Sequence, residues 1–400
     1  MTFDADRIRP DFPALTAGLA HFDSPGGTQT PRAVIDAIAG ALAAPLANRG
    51  GGNLAQRNAE TIVRAARAAL ADFTHGDERG VIFGRSATQL TFDFSRLLAR
   101  SWAPGDEVLV SRLDHDANIR PWVTAARARG ATVRWVDFDP TTGELDAERV
   151  AALLTDRTRL VAVTGASNLI GTMPDVPAIA ELVHGAGALL YVDGVHYAAH
   201  ALVDLPALGA DFFVCSPYKF LGPHHGVLVA DPELLESLRP DKLEPATDEV
   251  PERFELGTLP YELLAGTAAA VDYLAGLVPG PGPRRERLAR SLAAAEQHEN
   301  NLRHQVEDGL DALGATVYSR AARRTSTVLF DLPDVKAATV AARLADVGVN
   351  APAGQFYAIE ASRHLGLGDL GAVRVGIAPY NTSADVDRLL AGLAVIAGQR

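Results

Sequence analysis

Short apolar runs recur through residues 80–83, 107–110, 133–136, 160–163, 189–192, 212–215 and 226–229. Within each run the apolarity is continuous rather than alternating. Strands of that kind are covered by helices on both faces, so the pattern predicts an α/β fold around a mostly parallel, seven-stranded sheet. Between the runs, apolar residues return at helical spacing, as in 59–73 and 176–186. Residues 262–277 read as a long Ala-rich helix, and Pro279-Gly280-Pro281-Gly282-Pro283 then breaks any regular element.

That break marks the expected domain boundary. Residues 21–278 are assigned to a large domain and 284–400 to a smaller C-terminal α/β domain with mixed strands. Residues 1–20 form an N-terminal segment packing on the small domain. In the smaller unit a charged helix over 284–313 precedes strands near 325–331 and 373–377, with helices around 337–347 and 384–397. Residues 48–53, Asn-Arg-Gly-Gly-Gly-Asn, read as a mobile loop rather than a nucleotide fingerprint, because no strand leads into them.

Composition narrows the function classes. The 400 residues are 48% hydrophobic and 22% charged, which describes a globular chain. A net charge of −12 argues against nucleic acid or an anionic membrane as partner and leaves a small molecule. The acidic start and the lack of a ~20-residue apolar run point to the cytoplasm. With one cysteine, Cys215, no intrachain disulfide and no cysteine-based metal cluster can form, and its apolar neighbours read it as a buried thiol. The His224-His225 doublet with Asp114, His115 and Asp116 superficially suggests metal ligands, but HExxH spacing is absent and no metal is expected.

The chemistry concentrates at predicted strand ends. Lys219 stands between the apolar run 212–215 and the loop Leu221-Gly222-Pro223, and Asp193 closes the run 189–192 one strand-helix-strand unit upstream. Open α/β sheets bind ligands at such carboxyl ends. A lysine that condenses with an aldehyde, paired with an acid for a pyridine nitrogen, fits pyridoxal phosphate; taken singly, each also fits a loop cation or a helix cap. Gly84-Arg85-Ser86-Ala87-Thr88-Gln89 follows a strand and opens a helix, which aims backbone N–H groups at an anion, with Ser86 equally suited to plain capping. Ser216 reaches toward the same place. His115 suits a flat contact with a cofactor ring or a surface position, and Asn168 suits a phenolic oxygen or a turn.

Together these residues resemble the class V, fold-type I pyridoxal-phosphate enzymes, and among them the cysteine desulfurases and desulfurase-like proteins. The resemblance runs through His21-Phe22-Asp23-Ser24-Pro25-Gly26-Gly27, Asp114-His115-Asp116-Ala117-Asn118, Ser167-Asn168, Val192-Asp193-Gly194, Ser216-Pro217-Tyr218-Lys219, Phe254-Glu255-Leu256-Gly257-Thr258 and the segment from Arg374 to Thr382. It implies that Lys219 carries pyridoxal 5′-phosphate as a Schiff base while Asp193 pairs with the pyridine nitrogen and His115 stacks on the ring. It places Asn168 and His196 near the ring oxygen, with Tyr218 among the cofactor contacts. Ala87, Thr88 and Ser216 hold the phosphate, joined by Thr258 across a homodimer interface. Arg374, with Asn168, receives the carboxylate of an amino-acid substrate.

Two departures qualify the resemblance. The small-domain loop 349–357, where desulfurases carry their nucleophilic cysteine, holds Gln355 and Phe356. His196 stands where desulfurases typically have glutamine. Lys219 taking an α-proton, followed by β-elimination from a sulfur-bearing amino acid, is therefore the expected activity. Class V transamination is the alternative; cysteine desulfuration and a catalytically inactive regulatory role rank below it.

Overall fold

The computed structural model describes residues 3–398; Met1, Thr2, Gln399 and Arg400, which the two terminal segments include, lie outside the described residues. Strands β1 (Val81–Gly84), β2 (Glu107–Ser111), β3 (Thr132–Val136), β4 (Thr158–Thr164), β5 (Leu189–Asp193), β6 (Phe212–Cys215) and β7 (Gly226–Ala230) form one sheet in the order β1-β7-β6-β5-β4-β2-β3. β2 through β6 pair in parallel, and β7 runs against both of its neighbours.

The continuous apolar runs are explained by what lies on each face. Leu109, Val161, Val163, Leu190, Val192, Phe213 and Cys215 point into one core, while Val108, Val110, Leu160, Ala162, Tyr191, Phe212 and Val214 point into a second on the opposite side. Every alternate residue thus has an apolar layer to enter, each large side chain contributing roughly 1.5–3 kcal/mol on burial.

Helices supply those layers. α1 (Leu54–Thr74) buries Ala59, Val63, Ala66, Leu70 and Phe73 along one stripe; the Asn53 side chain caps its start by accepting from Gln56 N–H at 3.0 Å. α2 (Ala87–Leu98) follows β1 directly, and α3 (Tyr261–Ala275) packs on α1. The loop before α1, expected to be mobile, has irregular backbone, but Arg49 within it bonds Glu60 and Glu252, each at 2.9 Å.

A second, four-stranded sheet holds β8 (Thr316–Val317), β9 (Thr327–Asp331), β10 (Ala353–Gly354) and β11 (Ala372–Gly376) in the order β10-β11-β9-β8. All its pairings are antiparallel. The parallel pairing that a mixed sheet requires lies outside it, between Ala20–His21 and Val349–Asn350. The N-terminal segment, expected on the smaller unit, touches both. Ile8, Phe12 and Leu15 join the large core, whereas Arg9 pairs with Asp385 at 2.7 Å in the helix Ser383–Gly398 and Ala20 enters the smaller core. Helix α4 (Arg284–Ala312) straddles them likewise: Leu288, Leu292 and Ala295 sit in the large core and Leu302, Val306 and Leu310 in the smaller. No described helix is long and apolar enough to cross a membrane.

Candidate active site

The carboxyl ends of β4, β5 and β6, the start of α2 and the edge of the smaller sheet enclose a cavity of about 690 Å³. Every residue expected at the site lies on its wall except Thr258. Thr258 is exposed.

Lys219 follows β6 in a single 3-10 turn and is 8% exposed. Its Nζ donates to the Pro25 carbonyl and stands 4.6 Å over the Tyr218 ring. Burial and the nearby Arg374 lower its pKa to about 7, despite the opposing pull of Asp23 and Asp193. Asp193 terminates β5, and its Oδ1 accepts from Val195 N–H at 2.9 Å. Burial raises its pKa to about 6, against that hydrogen bond and the pull of Lys219. His115 is held near a pKa of about 4 by burial and by the positive Lys219 and Arg374, so its imidazole is neutral. Its Nδ1 accepts from Ala117 N–H at 3.0 Å, and its ring stacks on Tyr357 with centroids 5.5 Å apart.

At the other end, Ser86 caps α2 by accepting from Gln89 N–H at 3.1 Å. The amides of Ala87 and Thr88, in the first helical turn, have no intrahelical acceptor, and both residues face the cavity with Ser216. Gly226 keeps this corner tight. A Cβ there would stand 2.3 Å from the Ser86 carbonyl carbon and 2.6 Å from Ala87 N.

Arg374, on β11, reaches across from the smaller sheet with 1% exposure. It does not arrive bare: Nη2 meets Asp23 Oδ1 at 2.6 Å, Nη1 meets the Asn168 carbonyl at 3.0 Å, and the guanidinium lies 3.6 Å from the Phe356 ring centroid. Asn168 Nδ2 donates to the Phe356 carbonyl at 2.9 Å, and the Tyr357 carbonyl accepts from Asp116 N–H at 2.7 Å. Phe356 and Tyr357 adopt consecutive left-handed conformations, φ 51° and 60°, which strains non-glycine residues and implies that these contacts hold the loop down.

The apparent metal-ligand cluster disperses. Asp114 turns into the core, where Ser111 Oγ and Asn118 Nδ2 each donate to it at 2.6 Å. His225 is buried on Thr267 Oγ1, while His224 is exposed and stacks on Tyr218. Asp23, Phe356 and Tyr357 entered the sequence reading only as parts of motifs or loops, and Thr325 and Thr327, which bond His196, only as part of a strand. Their roles depend on partners far along the chain.

Among the described residues, Asn168 Oδ1, His196 Nδ1 and Arg374 Nε are buried on the wall without a hydrogen-bond partner or ion pair. Buried polar groups are ordinarily satisfied, so the wall is shaped for a polar ligand. An amine of lowered pKa, an acid one strand away, a flat imidazole and an anion-binding helix start are the donor set that pyridoxal phosphate requires.

Aminotransferase class-V, as a family, matches residues 20–389. The chain belongs to this family. It is 36% identical over 399 residues to the uncharacterized protein MT3887 of Mycobacterium tuberculosis, covering 98% of this chain and 99% of that one. It is 32% identical over 419 residues to a cysteine desulfurase of Klebsiella pneumoniae, with 98% of each covered. The crystal structure of the Escherichia coli cysteine desulfurase CsdA superposes with a TM-score of 0.88 at 27% identity, covering 100% of this chain and 99% of that one. The class-V family consists of pyridoxal-phosphate-dependent enzymes with the fold-type I architecture described above, and this protein is one of them.

Proposed function

We propose that this enzyme carries out β-elimination on an amino acid with sulfur on its β-carbon. One observation carries the choice among the reactions of the family. The chain's single thiol, Cys215, is fully buried in β6, absent from the cavity wall, and has its pKa pushed up by burial and by Asp193. The loop beside the cavity offers the rings of Phe356 and Tyr357 in its place. Sulfur abstraction needs an attacking thiolate, whereas elimination needs none.

The residues divide the work. Ala87, Thr88 and Ser216 would hold the phosphate of the cofactor, His115 the face of its ring, and Asn168 and His196 its ring oxygen. When bound, pyridoxal phosphate supplies an aldehyde for the amino group and a ring that draws negative charge away from the α-carbon. Asp193, at the end of β5, would keep the proton on the ring nitrogen. Arg374, oriented by Asp23 and Asn168, receives the carboxylate and presents the α-hydrogen to Lys219, whose lowered pKa suits a general base near neutrality. Phe356 and Tyr357 form the wall of the cavity beside Arg374.

The active unit is a homodimer. Thr258 reaches the neighbouring cavity, a reading supported by its exposure on this protomer and by the exposed apolar side chains Leu42, Leu54 and Leu256.

The test is a panel of amino acids assayed for keto acid, thiol or sulfide, and amino-group transfer. Elimination yields keto acid, ammonia and thiol in equal amounts. Amino-group transfer to an added keto acid without thiol release establishes transamination instead, and alanine with a protein persulfide establishes desulfuration.

A further inference from the structure

His196 opens the short helical turn after β5 and stands on the cavity wall, yet its immediate partners come from the other sheet. Its Nε2 lies 2.9 Å from Thr327 Oγ1 and 3.1 Å from Thr325 Oγ1. Thr325 Oγ1 in turn donates to Thr327 Oγ1 at 3.2 Å. Both threonines are buried, at 3% and 0% exposure, and among the described residues their hydroxyls bond each other and His196 Nε2 and meet no further acceptor.

The protons can be counted. Two hydroxyls bring two protons, and the acceptors are Thr327 Oγ1 and His196 Nε2. Both protons are placed if Thr325 donates to Thr327 and Thr327 donates to a bare Nε2. If Nε2 carried a proton, three protons would share the two hydroxyl oxygens, and one buried O–H would aim at nothing. A neutral imidazole with a bare Nε2 has its proton on Nδ1, and Nδ1 is the buried ring nitrogen without a partner among the described residues. The surroundings keep the ring neutral: burial, the neighbouring His200 at 4.6 Å between ring centroids, Lys219 and Arg374 all act against a charge. The carboxylate of Glu299 is turned away onto His200 Nδ1, at 2.7 Å, and Ser326 Oγ.

We infer that Thr325 and Thr327 are positioning residues that fix His196 as the Nδ1–H tautomer, so that a strand of the smaller sheet sets a hydrogen-bond donor against the ring oxygen of the cofactor. This deepens the cofactor placement described above and rests on it. A glutamine at this position carries donor and acceptor on one amide and selects between them by rotation. The histidine depends on the threonines to choose its tautomer.

A donor to the ring oxygen favours the form of the bound cofactor with more negative charge on that oxygen, and so lowers the pH at which its visible band titrates. The experiment compares four proteins reconstituted with pyridoxal phosphate: wild type, Thr325→Val/Thr327→Val, His196→Gln, and the triple variant. The readouts are the pH midpoint of the visible band and the cofactor dissociation constant of the apoprotein. Removing both hydroxyls from wild type raises the midpoint by about one unit and weakens cofactor binding by about tenfold. In the His196→Gln background the same valines change neither quantity. Equal shifts in both backgrounds, or no shift in wild type, overturn the inference. Thr327→Ser, which keeps the hydroxyl, behaves as wild type; with Thr327→Val as its partner it supplies the same comparison should the double variant fold poorly. A wild-type protein that develops no visible band overturns the cofactor placement itself, which separates that failure from failure of the threonine clamp.

Discussion

Arg374 Nη2 and Asp23 Oδ1 meet at 2.6 Å across 351 residues of sequence, so the cation assigned to the substrate carboxylate is already paired. A guanidinium with 1% exposure requires a partner when no substrate is present, and Asp23 supplies it. The remaining fork geometry, with Nε unengaged, stays available to a second carboxylate.

Replacing Arg374 with Ala is expected to weaken substrate binding by roughly 2–5 kcal/mol, the cost of leaving a buried carboxylate unpaired. KM should rise far more than kcat falls. Arg374→Lys restores little, because a point charge cannot serve Asp23, the Asn168 carbonyl and a substrate in one plane. Steady-state kinetics on the three proteins check both statements.

Lys219 sets a pH dependence. Its pKa, lowered to about 7 by burial and Arg374, leaves the amine protonated and unreactive below that pH and neutral above it. Uptake of pyridoxal phosphate by the apoprotein should therefore quicken as pH rises from about 6 to 8 and then level off, rather than climb toward the ordinary lysine range near 10.4. Stopped-flow absorbance reads this directly. Lys219→Ala abolishes both the covalent linkage and turnover.

Cys215 should be dispensable for chemistry. Its place in β6 and its raised pKa keep it protonated and unreachable, so thiol reagents leave the folded protein unmodified and Cys215→Ala retains most activity. Mass spectrometry after incubation with cysteine is expected to find no persulfide on it.

The proposed homodimer, with sites shared between protomers, can be tested with mixed dimers. Lys219→Ala and Thr258→Val proteins are each impaired, yet a hybrid carries one site with both lesions and one with neither. Co-expression should restore activity to about a quarter of wild type, the share of intact sites in random pairing of a two-fold dimer. Recovery no greater than the average of the two parents would place Thr258 outside the neighbouring site.

Lys219, Asp193 and the start of α2 were legible in the sequence because each follows a continuous apolar run, and strand ends are where an α/β sheet gathers its chemistry. The parallel sheet was legible for the same reason, since only two-sided burial explains unbroken apolarity. The pairing of Asp23 with Arg374 left no local trace, nor did the clasp of Thr325 and Thr327 on His196. Such contacts are set by how the two sheets dock, and local periodicity carries no information about docking. The strain at Phe356 and Tyr357 was equally hidden: neither residue type announces a positive φ.

Helix α4 gives the molecule its mechanical character. Because one unbroken rod is embedded by its first half in the large core and by its second half in the smaller, the two bodies share an axle instead of a flexible joint. Opening them like jaws would require the rod to bend or one core to be torn from it. Phe356 and Tyr357, which line the cavity in two left-handed conformations, are held there by contacts from the large sheet rather than by a joint between the two bodies.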